Sequence, residues 1–225
     1  MEKITDKIRA IITGSTGMVG EGVMHECLQH PDVEEVLVIN RRPCSVIHPK
    51  LKEIVHNDFF DITSIADQLS GYNACYFCLG VTSVGKKEPE YHRLTYALTL
   101  HIAEILAARD PDMTFCYVSG SGTDSTEKGG TMWARVKGKT ENDLMKLRFK
   151  QVYAFRPGYI HPIKGLQRTH GLYKALSWMY PLFKIIFPNG TCTLHDLGLA
   201  MINVALYGYE KKVINNKDIA ILGRY

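Results

Sequence analysis

Short apolar runs alternate along most of the chain with longer segments in which apolar residues recur every three or four positions. The short runs have the character of buried strands, and the longer segments have the spacing of helices that bury one face. The pattern predicts strands at residues 8–13, 35–40, 51–55, 74–79, 114–118 and 151–155, and helices at 19–30, 62–69, 90–109 and 133–147. Strands and helices in this order are typical of an α/β fold with a doubly wound parallel sheet.

The part of the chain after the sixth predicted strand is expected to be a small, mostly helical elaboration. Thr193 and Asp196 have the spacing of a capping box, which predicts the start of a helix. We interpret residues 1–225 as one domain in which residues 159–225 contribute the substrate side of a cleft. Residues 165–188 carry apolar side chains at helical spacing. A helix packed on the core, a substrate lid, a dimer contact and a membrane-surface patch all stay open for that segment.

Composition and charge exclude several classes of protein. Hydrophobic residues make up 45% of the chain and charged residues 22%, which is typical of a globular protein and not of a disordered or coiled-coil chain. The net charge of +4 is too small to indicate a nucleic acid partner. No apolar run suits a signal peptide or a transmembrane segment, and six cysteines are too few for a disulfide scaffold. These features predict a cytoplasmic protein, either a monomer or a homodimer.

Cys75 and Cys78 have the C-x-x-C spacing of some metal and redox sites, but they lie in a predicted strand. Residues three apart in a strand point to opposite faces, so the two sulfurs are not expected to share a metal ion or a disulfide. The nine histidines form no metal-binding motif. The sequence therefore predicts no metal site.

A glycine-rich turn connects the first predicted strand to the first predicted helix. It comprises Gly14, Ser15, Thr16, Gly17, Met18, Val19 and Gly20. Glycine allows a tight turn and a close approach of the backbone to a ligand, and a helix N-terminus offers free N–H groups to phosphates. This context predicts a site for the pyrophosphate of a dinucleotide, with an ordinary strand–helix turn as the alternative.

The end of the second predicted strand indicates which dinucleotide binds. An acidic residue there would bind the ribose hydroxyls of NAD, whereas an arginine accommodates the 2′-phosphate of NADP. This chain has Asn40, Arg41 and Arg42, with no carboxylate at that position. The sequence therefore favours NADP(H), with NAD(H) as the other cofactor to consider and a solvated basic turn as the alternative interpretation.

Two further loops follow strands whose carboxyl ends meet at the same edge of the predicted sheet. Asp58 and Phe59 come after the third strand and are predicted to flank the adenine. Leu79, Gly80 and Val81 end the fourth strand, where a small residue lets the backbone pass close to the cofactor. Ligands of open α/β sheets bind at this edge.

With these motifs, the chain resembles short-chain dehydrogenase/reductases of the extended or atypical kind. It is most similar to their Tat-interacting-protein-like branch, whose members are loosely labelled nucleoside-diphosphate-sugar epimerases. The resemblance covers nearly the whole chain and includes the glycine turn and the segments 117–121, 156–158 and 193–201. It implies an NAD(P)-binding Rossmann fold in which Pro157, Gly158 and Tyr159 contact the cofactor.

The resemblance also implies a catalytic set made of a serine, a tyrosine and a lysine, the last two lying four residues apart on one helix face. Lys137 matches the lysine, which in the family lowers the tyrosine pKa and holds the nicotinamide ribose. Ser121, with Ser119 as second choice, matches the serine that orients the substrate oxygen. Trp133 stands at the tyrosine position. Its indole N–H does not titrate and therefore does not serve as the general acid or base.

Two functions are compatible with this departure from the family. In the first, the chain is an NADP(H)-dependent oxidoreductase or epimerase-type enzyme that acts on an unknown small substrate, and another group supplies the proton. The candidates for that group are Tyr91, Tyr96, Tyr159, Tyr173 and a water relayed by Ser121. In the second, the chain binds NADP(H) without turnover and serves as a sensor or a protein-interaction module.

Overall fold

A computed structural model describes residues 3–5, 7–163 and 190–225 of the chain. Its strands are β1 (Ile8–Thr13), β2 (Val33–Asn40), β3 (Leu51–Val55), β4 (Ala74–Phe77), β5 (Thr114–Val118), β6 (Gln151–Arg156), β7 (Tyr159–His161), β8 (Thr191–Thr193) and β9 (Val213–Asn215). Its helices are α1 (Met18–Gln29), α2 (Glu88–His92), α3 (Leu98–Arg109), α4 (Met132–Leu144), α5 (Leu194–Tyr207) and α6 (Asn216–Leu222), with a 3-10 helix at Thr63–Leu69.

Seven of these strands form one parallel sheet in the order β3-β2-β1-β4-β5-β6-β9, and β7 pairs with β8. The chain passes from β1 to β2 and β3 on one side, and then returns to β4, β5 and β6 on the other. The strand order therefore reverses between β1 and β4, and ligands of open α/β sheets bind in the crevice at such a reversal. The predicted doubly wound parallel sheet is confirmed.

Both faces of the sheet are covered, which explains why its strands read as continuous apolar runs. In β1, Ile8, Ala10 and Ile12 pack on the face covered by α1 and α5, whereas Ile11 packs on the face covered by α3 and α4. Every residue of β4 is buried. Close packing of this kind fixes the strands, and the loops at their carboxyl ends are positioned by them.

The C-terminal part of the chain contains more strand than predicted. The strands β7, β8 and β9 lie where helix was expected, and β9 extends the sheet beyond β6. Each has three residues, which is too short to show a strand pattern in the sequence. The capping box is confirmed, since Thr193 Oγ1 accepts the Asp196 N–H at 3.0 Å and Asp196 Oδ2 accepts the Thr193 N–H at 3.3 Å. The helix predicted within residues 165–188 lies outside the described residues.

The helix predicted at residues 90–109 is interrupted by a wider turn. It begins at Glu88, with Pro89 in its first turn, where proline is well tolerated. Residues Arg93–Ala97 form a π-helical turn between α2 and α3. In the part of the chain that the structure describes, none of the helices has the length and apolar character needed to cross a membrane.

Candidate functional site

Close backbone contacts hold the glycine turn between β1 and α1. Gly14 has a φ of +72°, and a Cβ there would lie 2.8 Å from the carbonyl carbon of Cys78. A Cβ on Gly20 would lie 2.2 Å from the carbonyl oxygen of Gly14. Both positions therefore require glycine, and Gly14 brings the turn against the backbone that leaves β4.

Gly17 differs from these two glycines because a side chain there has room. Among the described residues, a Cβ on Gly17 would meet one atom within 4 Å, the carbonyl oxygen of Gly14 at 3.4 Å. Gly17 is the N-cap of α1, and the N–H groups of Met18, Val19 and Gly20 in the first turn have no acceptor within the helix. These N–H groups and the positive end of the helix dipole suit an anion such as a pyrophosphate.

A hydrogen-bond network between neighbouring strands fixes the end of β2. The Ser15 hydroxyl donates to Asn40 Oδ1 at 2.9 Å, and Asn40 Nδ2 donates to Glu53 Oε1 at 2.8 Å. The same Glu53 oxygen accepts the Cys44 N–H at 2.8 Å. Sequence reasoning missed Glu53, because nothing in its spacing relates a residue of the edge strand β3 to Asn40. The Asn40 amide is thus oriented by the protein itself.

Two adjoining cavities lie beside this network and share Arg41 and Asn57 in their walls. The larger, of about 540 Å³, is also lined by Thr16 and Arg42. The smaller, of about 140 Å³, is completed by Asp58, Phe59, Phe60, Leu79, Val81, Leu94 and Leu98. The structure therefore brings seven of the predicted cofactor residues together around a cationic space and an apolar slot. They are Thr16, Arg41, Arg42, Asp58, Phe59, Leu79 and Val81.

The loops after β3 and β4 shape the smaller cavity. Asp58 Oδ1 accepts the Phe60 N–H at 2.9 Å, so the Asp58 carboxylate stabilises its own loop. The His56 ring Nε2 lies 2.7 Å from the carbonyl oxygens of both Asp58 and Asp61. A Cβ on Gly80 would meet no atom of the described residues within 4 Å, so none of these residues blocks a ligand on that side of the backbone.

The loops after β5 and β6 are hydrogen-bonded to each other. The Ser119 N–H donates to the Phe155 carbonyl at 2.8 Å, and the Ser121 N–H donates to the Pro157 carbonyl at 2.8 Å. Ser119 is buried, whereas Ser121 is exposed. Of the two serines proposed for the substrate oxygen, Ser121 is therefore the one that a ligand can reach.

Gly158 and Tyr159 are held by the backbone that precedes β8. A Cβ on Gly158 would lie 2.2 Å from the Gly190 carbonyl oxygen, and the Tyr159 N–H donates to that oxygen at 3.0 Å. The Gly158 N–H donates to Asn216 Oδ1 at 3.0 Å. This close approach gives Gly158 a packing role in addition to the cofactor contact that the family resemblance implies.

The Ser119 side chain joins a buried ion pair. Its hydroxyl donates to the carboxylate of Glu141, and Arg156 donates to both oxygens of that carboxylate, with Nε 3.0 Å from Oε1. The Glu141 side chain is 2% exposed. Sequence reasoning missed this pair, which connects α4 to β6 and engages the hydroxyl that was the second choice for catalysis.

Lys137 lies one helical turn before Glu141 and reaches the carboxyl end of β5. Its Nζ donates to the Ser119 carbonyl oxygen. Burial lowers the pKa of Lys137 to about 8, and the Glu141 carboxylate acts in the opposite direction. The lysine is thus fixed at the same sheet edge as the glycine turn.

Trp133 lies one turn before Lys137 and packs on the loop that carries Ser121. A Cβ on Gly122 would lie 3.5 Å from Trp133 Cη2. The indole is half-buried. The ring at this position therefore packs against the loop, and its indole N–H does not titrate.

The tyrosines considered as replacement proton donors lie in different surroundings. Tyr91 is 2% exposed, within the core. The Tyr96 hydroxyl donates to Asp143 Oδ2 at 2.9 Å, and Tyr159 belongs to β7. Tyr173 lies outside the described residues.

The glycine turn, the helix N-terminus and the adjoining cavities define a Rossmann fold of the dinucleotide-binding class. A model of the NAD dependent epimerase/dehydratase family matches residues 10–129. This stretch is more than half of the chain, and the chain belongs to that family. Membership supports the binding of a nicotinamide dinucleotide and confirms the resemblance to atypical short-chain dehydrogenase/reductases of the epimerase type.

Curated relatives of the chain include proteins from fungi. The chain is 31% identical over 155 residues to a protein of Aspergillus oryzae named "Protein fmp52-1, mitochondrial", and 24% identical over 171 residues to "Protein FMP52, mitochondrial" of Meyerozyma guilliermondii. The matches cover 66% and 75% of this chain, and 64% and 71% of the relatives. The first match thus spans somewhat less than two thirds of that relative. The names of these relatives contradict the prediction of a cytoplasmic location, which is wrong on this evidence.

Solved structures of bacterial enzymes share the fold. The Helicobacter pylori ADP-L-glycero-D-manno-heptose-6-epimerase superposes with a TM-score of 0.65 at 15% identity, and the match covers 98% of this chain and 82% of that chain. The Bordetella bronchiseptica enzyme WbmF in complex with NAD+ superposes with a TM-score of 0.64 at 17% identity, covering 97% and 77%. At these identities the likeness shows the fold alone.

Proposed function

We propose that the protein is an NADP(H)-dependent oxidoreductase or epimerase-type enzyme that acts on a small substrate with a carbonyl or hydroxyl group. The observation that carries the cofactor choice is the position of Arg41, which lines both adjoining cavities. Arg42 lines the larger one as well, and Asn40 stands where an NAD-binding chain would carry an acid. A ribose with a 2′-phosphate suits this cationic space.

Each group around the cleft has a role under this proposal. The first-turn N–H groups of α1 bind the pyrophosphate, and the apolar slot beside Phe59 and Leu79 accepts the adenine. Lys137 holds the nicotinamide ribose, and Ser121 orients the substrate oxygen. The bound dinucleotide supplies or accepts the hydride, and the protein positions the substrate and manages the proton.

The cofactor choice is tested by calorimetric titration of the purified protein with NADPH and with NADH. We expect tighter binding of NADPH, because the extra phosphate meets Arg41 and Arg42. Equal or tighter binding of NADH would contradict the proposal. The same protein is then assayed for NADPH oxidation with a panel of aldehydes, ketones and quinones.

A second candidate function is a non-catalytic NADP(H)-binding module. The observation that favours it is Trp133, whose indole packs against the loop at Gly122 where the family has its proton donor. In that case the protein binds NADPH, and none of the aldehydes, ketones and quinones in the panel leads to its oxidation.

The variant Trp133→Tyr distinguishes these functions further. General acid–base catalysis is worth about 10²- to 10⁴-fold, so a site that merely lacks its donor should gain about that much from the new phenol. A wild-type enzyme with its own donor should change little on Trp133→Tyr and lose most of its rate on Ser121→Ala. A non-catalytic module should stay inactive in every variant.

A further inference from the structure

Glu53 binds both ends of the loop that carries the two arginines of the larger cavity. Its Oε1 accepts an N–H of the Asn40 side chain and the backbone N–H of Cys44, each at 2.8 Å. Asn40 and Cys44 are buried, whereas the three residues between them are exposed. The loop is therefore a short exposed turn whose two buried ends are bound by one carboxylate oxygen.

The register of the sheet explains how Glu53 reaches both ends of this loop. Glu53 lies beside Val38 in the parallel pairing of β3 with β2, and Asn40 is two residues further along β2. Side chains two residues apart in a strand point to the same face, so the carboxylate and the Asn40 amide lie on one face of the sheet. Val38 and Cys44 pack in the same core cluster, so the loop returns over that face to the carboxylate.

The position of the arginine side chains depends on this loop. Arg41 and Arg42 line the cavity of about 540 Å³ and are exposed, so the backbone determines where each charge lies. Pro43 follows them and has no N–H with which to fix the loop. Immobilising a long side chain when a ligand binds reduces affinity. A loop held at both ends before binding reduces that loss.

The same contacts keep the Asn40 side chain away from a ligand. Asn40 is 2% exposed, its Oδ1 accepts the Ser15 hydroxyl, and its Nδ2 donates to Glu53. An acid at this position would bind the ribose hydroxyls of NAD, but here the side chain is bound inside the protein. Recognition of the ribose is therefore left to the loop that follows.

We infer that Glu53 is the positioning residue that sets the cofactor choice, because it holds Arg41 and Arg42 where a ribose 2′-phosphate binds; the inference rests on the proposed function. Glu53 acts through the loop and does not touch the cofactor. Its own negative charge acts in the opposite direction, since a carboxylate near the cationic space repels a phosphate. Substitutions that separate the hydrogen bonds from the charge therefore test the role.

Glu53→Ala removes both the acceptor and the charge, whereas Glu53→Gln keeps an acceptor oxygen and removes the charge. In calorimetric titrations, we expect Glu53→Ala to weaken NADPH binding about tenfold and to change NADH binding less than about twofold. Glu53→Gln should bind NADPH at least as tightly as the wild type. The matched control is Glu34→Ala, which removes an exposed carboxylate near the opposite end of β2 and should leave both affinities unchanged.

Folding of each variant is checked by circular dichroism. Glu53 is exposed, so we expect little change in the urea midpoint. Glu53→Met keeps the length of the side chain without the acceptor, and it should weaken NADPH binding as Glu53→Ala does. This second variant keeps the test decisive if alanine disturbs the edge strand.

A background without the two arginines shows whether Glu53 acts through them. When Glu53→Ala is added to Arg41→Ala/Arg42→Ala, NADPH affinity should fall by less than about threefold, because the positioned groups are already gone. A full tenfold loss in that background would overturn the inference.

Two further outcomes separate the inference from the proposed function. A wild type that prefers NADPH, together with a Glu53→Ala variant whose preference is unchanged or stronger, would overturn the inference alone. A wild type that binds NADH as tightly as NADPH would overturn the proposed cofactor choice, and the inference with it.

Discussion

The region from β1 to β3 and the region from β5 to β6 build their parts of the cleft by different means. In the first, backbone geometry dominates, because Gly14 and Gly20 exclude side chains and α1 presents bare N–H groups. In the second, side chains dominate, since Glu141, Arg156 and Lys137 form one connected network. The first region therefore depends on the absence of side chains, and the second depends on contacts between them.

Charged side chains also have different surroundings in the two regions. Arg41 and Arg42 border a cavity of about 540 Å³, so their charges are available to a ligand. Glu141 and Arg156 are paired inside the protein, so their charges stabilise the site's structure. We expect substitutions in the first region to change binding and substitutions in the second to change stability.

The largest effect is expected from Glu141→Gln in the second region. Removing one partner of a buried ion pair leaves the other uncompensated, which costs about 3–5 kcal/mol of unfolding free energy. Urea unfolding followed by circular dichroism measures the loss. The double variant Glu141→Gln/Arg156→Met removes both charges and should recover part of it; a single variant as stable as the wild type would show that the pair contributes little.

In the first region, Gly17→Val should abolish dinucleotide binding without unfolding the protein. A Cβ at Gly17 meets a neighbouring atom at an ordinary 3.4 Å, and the larger side chain then projects into the space before the α1 N–H groups. We expect affinity to fall by at least ~100-fold, or ~2.8 kcal/mol, in a calorimetric titration with NADPH. Binding that survives in a folded variant would refute the placement of the pyrophosphate.

Gly20→Ala is the contrasting control for Gly17→Val. Its Cβ would lie 2.2 Å from the Gly14 carbonyl oxygen, so the turn itself has to move. Overpacking of this kind costs about 1–3 kcal/mol, and we expect a lower melting temperature together with weaker binding.

The same contrast explains which features could be predicted from the sequence. The glycine turn was predictable, because a close backbone approach leaves glycine as the required residue at Gly14 and Gly20. The contact between Asn40 and Glu53 was not, since it joins side chains of two strands whose registration is set only in the sheet. The Glu141–Arg156 ion pair could not be predicted from the sequence for the same reason.

The strands of the C-terminal part show a different limit. A segment as short as β9 has too few residues for a periodic pattern, and it becomes a strand because β6 offers an open edge. Tertiary pairing therefore decided its conformation. Five of the six main strands, by contrast, contribute buried residues to both faces of the sheet, and their apolar runs were sufficient to locate them. The sixth, β3, lies at the edge of the sheet and has no buried residue.

A smaller effect in the first region is expected from Arg41→Ala. It should weaken NADPH binding by about 1.5–3 kcal/mol, the usual value of a hydrogen bond to a charged group, and barely alter NADH binding. Parallel calorimetric titrations measure the two affinities. The control is Arg148→Ala, which changes an exposed arginine just before β6 at the opposite edge of the sheet. It should leave both affinities unchanged. An equal loss of affinity for NADPH and NADH on Arg41→Ala would contradict a contact with the 2′-phosphate.

The smallest effect should come from Ser15→Ala, which removes the 2.9 Å hydrogen bond to Asn40 Oδ1. The unfolding free energy should fall by ~1 kcal/mol, the usual net value of such a bond. Asn40 remains held through its Nδ2 by Glu53, so the end of β2 keeps its position and Arg41 keeps its place in both cavities. The ratio of NADPH to NADH affinity should therefore stay close to that of the wild type. If Ser15→Ala instead changes this ratio as much as Arg41→Ala does, the choice between NADPH and NADH depends on how the Asn40 side chain is oriented. Contacts between side chains would then determine the first region of the cleft as well as the second.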